Sequence, residues 1–211
     1  MSVFFLNKCF TYINDLTSKE LYGIFVNRKV QRSNMEHKWC NEFHIERYQS
    51  TWKDIYFRKI ISNPIQKLRE FNYKLINNIV ICGKTVSLWN PNVSSLCEFC
   101  NEMNTVKHML FECKRVQSVW NMCGKRIKCN IQWKHIIIGF KGNSLTCIAY
   151  NIVISIIAYN IYSEWIKRIN SKKQYKNINL LQSCKNALFF HSNYLLHTSH
   201  KKIGSFITNI M

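Results

Sequence analysis

Three cysteines and one histidine fall in the stretch Leu96 to Trp120 with the spacing Cys97-x2-Cys100-x7-His108-x4-Cys113. Thiolates and imidazole nitrogens are the donors that zinc prefers, and two residues between cysteines let one tight turn aim both sulfurs at a single ion. A second pair, His108 and Cys113, then completes a Cys3His set. A lone CxxC is common in a chain with ten cysteines, but a following His-x4-Cys within the next dozen positions is far rarer. Four protein ligands leave no open position for water, so the expected role is one structural zinc per chain and no hydrolysis.

The spacing poses a geometric problem. Residues five apart lie about 140° apart around a regular α-helix. His108 is therefore expected in the first turn of its helix, with Cys123, on the Cys113 face, as a spare ligand. Phe99 and Phe111 are expected to pack as a small apolar shell around the ion. Cys9, Cys40, Cys82, Cys129, Cys147 and Cys184 have no ligand-spaced partner and read as core fillers.

The elements around this stretch read as helices. Of the 211 residues 47% are hydrophobic and 14% aromatic, with six glycines and two prolines, which favours long helices over a turn-rich β fold. The fold class is mainly α, with helical segments flanking a small knuckle. Its parts are a helical segment 1–90, the knuckle and its helix 91–124, and a basic helical segment 125–211. Helices are expected over Thr17–Val26 with Ser18 as cap, over 46–61, from Pro64 through Ile76, and over 144–169 and about 176–197. Residues 27–38 read as a connection and the last residues as frayed. Asn104 or Thr105 caps a stripe of Val106, Met109, Leu110, Cys113, Val116 and Trp120.

The charge is the second signal. Thirty basic residues face 11 acidic ones, net +19. Residues 114–211 hold 15 basic side chains and a single acid, Glu164, against 15 and 10 in residues 1–113. Such a basic half suits a polyanion, and nucleic acid is the commonest. The candidate contacts are Lys107, Lys114, Arg115, Lys125, Arg126 and Lys128 around the knuckle helix, with Lys167, Arg168, Lys172 and Lys173 as a second cluster beside Trp165. No base-reading pattern is visible, so binding to RNA or DNA should be salt-sensitive and weakly sequence-selective. The rival is a protein-interaction module braced by zinc, its charge serving an acidic partner.

Several classes are not expected. No Gly-rich phosphate loop occurs, no nucleophile signature surrounds a cysteine, and no small-molecule substrate is indicated. The four-residue apolar run before Asn7 is too short for a signal peptide. The expected location is therefore intracellular, nuclear or cytoplasmic, not secreted, with reduced thiols. Gly142–Ser163 carries no charge and is long enough to span a bilayer. Asn143, Asn151 and Asn160 interrupt it, so a buried core helix is expected, with a membrane span as the alternative.

The motif and its surroundings resemble the zinc-binding C-terminal region of non-LTR (LINE-type) retrotransposon reverse transcriptases. The resemblance rests on the Cx2C-x7-Hx4C set, the following "HMLFECKRVQSVW", and the upstream "WKDIYFRKIISNPIQKLREFNYKLINNIVICGKTVSLWN". It covers about residues 17–200 and is most specific over 52–120. It implies Cys97, Cys100, His108 and Cys113 as zinc ligands and a role in holding template RNA or target DNA. The polymerase needs an aspartate pair and a third carboxylate for two metal ions, whereas this chain has only Asp15 and Asp54. A nuclease after the knuckle would likewise need clustered acids, and only Glu164 follows it. The expected molecule is a detached, non-catalytic piece of such an enzyme, beginning with its own Met1.

Overall fold

A computed structural model describes residues 3–6, 9–12, 34–45, 49–170 and 179–210. The expected helix over Thr17–Val26 lies outside the described residues. The fold is mainly α-helical, and the chain divides into units of residues 1–45 and 46–211.

The first unit contains an antiparallel hairpin of β1 (Val3–Leu6) and β2 (Cys9–Tyr12), with Val3 opposite Tyr12 and Leu6 opposite Cys9. It also contains helix α1 (Asn34–Phe43). The helix corrects the reading of 27–38 as a connection over 34–38, while residues 27–33 lie outside the described residues. Met35, Trp39 and Phe43 recur every four residues, and Trp39 stacks on Phe43 with ring centres 5.5 Å apart. Ending the polar stretch at Lys38 hides that stripe.

In the second unit, α2 (Gln49–Tyr56) runs straight into a π-helical turn, Phe57–Ile61, closed by the bond from Ser62 N–H to Phe57 O. After Pro64 come α3 (Gln66–Ile76) and one short turn, α4 (Gly83–Val86). Beyond the cysteine stretch lie α5 (Lys114–Ile127), α6 (Trp133–Ile137), α7 (Leu145–Asn170), α8 (Leu180–Leu196) and α9 (Lys201–Ile210). The tail is therefore helical as far as Ile210 and not frayed there. α9 packs along α8, and Ile203 and Ile207 are buried there.

Helix α7 organises this unit. Its 26 residues are apolar on nearly every side, the pattern of a helix enclosed all round. α3, α6, α8, α9 and the 57–61 turn all pack against it. By length and composition it is also the one helix among the described residues that could cross a membrane. The two amides on this helix that would be costly in lipid, Asn151 and Asn160, have protein partners. Asn151 bonds both backbone groups of Phe140, and Asn160 Nδ2 donates to Ser183 Oγ at 3.1 Å. Ser155 Oγ bonds Asn72 across the core.

The Asn151 link depends on Gly139. That residue has φ +74°, and a Cβ there would lie 2.6 Å from Asn151 Oδ1 and 3.0 Å from Lys59 Cδ. Gly139→Ala must accept both a left-handed backbone and displacement of the amide. We expect a loss of about 2 kcal/mol or more, measured by urea denaturation. An unchanged midpoint would show that the 139–140 turn is not held this way.

The π-turn at 57–61 hides a departure from simple patterning. Arg58 and Lys59 are buried, while Phe57 and Ile61 face outward. Arg58 Nε donates to Ile138 O at 2.8 Å, and Lys59 Nζ lies 3.4 Å from Ser155 Oγ. Burial, and secondarily the neighbouring Arg58 charge, push the Lys59 amine down to about 7.

Candidate metal centre

The four predicted ligands meet. Cys97 Sγ, Cys100 Sγ, His108 and Cys113 Sγ place one donor atom each within 4.8 Å of one another. Two cysteines come from a tight turn. An antiparallel bridge between Leu96 and Met103 closes its base, Cys97 N–H donates to Glu102 O, and Asn101 N–H donates to Cys97 O. Asn101 takes the left-handed conformation that such a reversal requires and that asparagine tolerates.

The other two ligands come from a helix that begins at Val106, where Thr105 Oγ1 accepts the His108 N–H. This is the expected first-turn position, and of the two candidate caps Thr105 makes this bond. The 140° difficulty is resolved by a change of helix type. His108–Glu112 is a π-turn, in which Cys113 N–H donates to His108 O at 2.9 Å, five residues back. With i→i+5 bonding, residues five apart return to the same side. Lys107 and Glu112, also five apart, pair at 3.0 Å on that turn. The backbone leaves the helix at Cys113 (ψ 131°), and α5 starts afresh at Lys114. Trp120 on α5 clamps the turn, its Nε1–H donating to Leu110 O at 2.7 Å.

The distances suit zinc. A tetrahedron with Zn–S bonds of about 2.3 Å has sulfur–sulfur edges of about 3.8 Å. Cys97 and Cys113 sulfurs lie 3.7 Å apart and those of Cys100 and Cys113 3.9 Å. Cys100 Sγ and His108 Nε2 are closer, at 3.1 Å, which makes Nε2 the imidazole donor. The Arg115 backbone N–H donates to Cys113 Sγ. Without a metal, burial and the adjacent Cys97 and Cys100 push the Cys113 thiol up to about 12, against the help of that bond. An ion must displace those protons, so affinity falls as pH falls. When bound, zinc would supply four-fold cross-linking of the turn to the helix, with Cys97, Cys100, His108 and Cys113 as holders.

Other expectations need correction. Phe99 and Phe111 do not together form a shell around the ligands: Phe99 lines a cavity with Cys97 and Cys113, and Phe111 does not. Phe99 is half exposed, and Phe111 packs towards Trp133 with centres 6.3 Å apart. Met109, buried on the π-turn itself, lines the same cavity with Cys97 and Cys113. Cys123 is no spare ligand: it is buried beside Cys184 and Cys129, and burial pushes its thiol up to about 12. The core-filler reading fits Cys40, Cys82 and Cys184, but Cys129 and Cys147 are only partly buried. The side chain of Cys9 lies outside the described residues.

The basic residues divide. Lys114, Lys125, Arg126 and Lys128 are exposed on or just after α5. Arg115 and Arg168 are not simple surface charges. Their guanidinium groups lie 4.4 and 4.8 Å from the centre of the Phe99 ring. Arg168 Nη1 is also 3.7 Å from Glu98 Oε2, and Lys167 pairs with buried Glu164 at 2.8 Å. Lys172 and Lys173 lie outside the described residues. Phe99, between two ligand cysteines, is thus the ring on which α5 and α7 meet the knuckle. Nothing in its spacing signals that.

Comparison with known proteins identifies no relative. No family model matches the chain, and neither a curated protein nor a solved structure is similar to it.

Proposed function

We propose that the chain is a zinc-binding module that holds nucleic acid, RNA or an RNA–DNA intermediate, and has no reaction of its own. The observation that carries the metal part is the convergence of four soft donors within 4.8 Å. The nucleic-acid part is supported by the charge of residues 114–211, 15 basic against one acidic. It is supported too by the exposure of Lys114, Lys125, Arg126 and Lys128 beside the knuckle. The resemblance to the zinc-binding end of retrotransposon reverse transcriptases suggests the same role and an origin as a detached piece of one. Zinc would fix the turn carrying Cys97 and Cys100 against α5 and so hold those cations in register. An intracellular, nuclear or cytoplasmic location fits both reduced thiols and such a ligand.

The test is a salt titration of a fluorescent single-stranded oligonucleotide. Four phosphates neutralised by the four exposed cations give a slope of log affinity on log salt of about −3. Scrambling the oligonucleotide sequence should change affinity little. Absence of binding at low salt would favour the second reading, a protein-interaction module braced by zinc. That reading draws on Phe189, Phe190 and Tyr194, which are 60%, 68% and 54% exposed on α8.

A further inference from the structure

Behind the knuckle, where α5 and α7 approach the start of α8, lies a cleft of about 410 Å³. Arg115, Arg168, Phe99, Ser118, Leu180 and Leu181 line it. We propose that this cleft is a binding site for a phosphate group. The proposal rests on the nucleic-acid reading for its preferred source, a backbone phosphate. Free inorganic phosphate presents the same oxygens.

Two guanidinium groups are held at one aromatic ring, and the Arg168 charge opposes that of Arg115. The ring face attracts each cation without using its in-plane N–H groups, and at Arg115 one of these still needs an acceptor. Arg115 Nη2 is buried and has no hydrogen-bond acceptor, an arrangement that costs free energy until an acceptor arrives. The nearby acids do not fill this role. Glu164 is bound to Lys167 at 2.8 Å, its Oε2 left without a partner. Glu98 sits 3.7 Å from Arg168 with two-thirds of its side chain in solvent, a weak pairing that an anion can displace.

The third wall adds donors. α8 is 17 residues long, and Asn179 caps it by accepting the Gln182 N–H. The Leu180 and Leu181 amides belong to the first turn, which has no acceptors within the helix and carries the positive end of its dipole. Ser118 contributes a hydroxyl whose bond to Arg115 O is long, 3.4 Å. Phosphate oxygens can bridge two planar guanidinium forks and still face a helix terminus.

The experiment uses the full zinc-loaded chain and a single-stranded oligonucleotide followed by anisotropy. Potassium phosphate, chloride and acetate are compared at equal ionic strength. Phosphate is expected to weaken oligonucleotide binding more than chloride does. Arg168→Gln, with zinc content and helicity unchanged, is expected to lower affinity about tenfold and erase the phosphate-specific effect. Arg168→Lys should fall between, keeping charge and losing the fork. Equal displacement by phosphate and chloride, or wild-type affinity in Arg168→Gln, would overturn the site. Acetate as effective as phosphate would overturn it in favour of a carboxylate partner. If Arg168→Gln loses zinc, calorimetric titration of inorganic phosphate into the wild type and Arg168→Lys decides. Saturable binding weakened in the lysine variant supports the cleft, and no binding ends it. Wild type that binds inorganic phosphate but no oligonucleotide keeps the cleft and removes the nucleic-acid reading. Oligonucleotide binding unaffected by phosphate and by Arg168→Gln does the reverse.

Discussion

Cys113→Ser is expected to remove stoichiometric zinc and to loosen the whole joint between the knuckle turn and α5. The wild type should carry one zinc per chain by mass spectrometry, and the variant much less than one. Cys113 is where three constraints coincide: its sulfur lies against Cys97 and Cys100, its N–H closes the π-turn, and its backbone ends one helix and starts the next. Because metal binds the folded joint and not the open chain, its binding energy appears as folding energy. With zinc a thousandfold above its dissociation constant this amounts to about 4 kcal/mol. Chelator added to the wild type should reproduce that loss in a denaturation curve. Cys123→Ser, whose sulfur faces Cys184 and Cys129, should keep its zinc. A folded wild type purified without zinc would dismiss the site.

Lys59→Met is expected to stabilise the protein and to flatten its response to pH. Lys59 is 1% exposed and the folded value of its amine is about 7, down from 10.5. Between those values the unfolded chain holds a proton that the folded chain has released. Stability therefore rises with pH from about 7 to 10.5 and, for this group, is level below 7. The full span corresponds to a penalty on the order of 5 kcal/mol below pH 7, which methionine would not incur. Ser155 Oγ would keep its bonds to Asn151 O and Asn72. The informative quantity is the difference between the two proteins across pH 6.5–9, since thiols also titrate there. A constant difference across that range would mean that Lys59 stays charged in the core.

The ligand set was legible because zinc chemistry writes itself as residue type and spacing. Cys97, Cys100, His108 and Cys113 needed no knowledge of the fold. The helices at 49–61, 66–76 and 145–170 were legible too, since each carries a long apolar periodicity. The π-turns were not. Hydrophobic pattern reports which residues are buried, and an extra residue per turn changes the bonding with little trace in it. The 140° conflict between His108 and Cys113 was the one visible symptom. Burial of Arg58 and Lys59 escaped for the same reason: charged residues in an apolar stripe read as interruptions. The tail helix Lys201–Ile210 escaped because Lys201 and Lys202 open it and Gly204 interrupts its apolar stripe. Arg115 and Arg168 read as surface charge because a cation seated over Phe99 depends on contacts between distant parts of the chain.

Glu164, the sole carboxylate side chain in residues 114–211, is 4% exposed and bound to Lys167. No side chain of that half therefore shows water a negative charge. Mobile anions from the solvent must gather over it as a diffuse atmosphere, and they thin out as the buffer is diluted. Two copies of the chain meeting by these faces would repel, which keeps them apart at low salt. The same self-repulsion strains the fold, so moderate salt should help it stay folded even as it loosens a bound polyanion. Salt would then pull in opposite directions on stability and on capture.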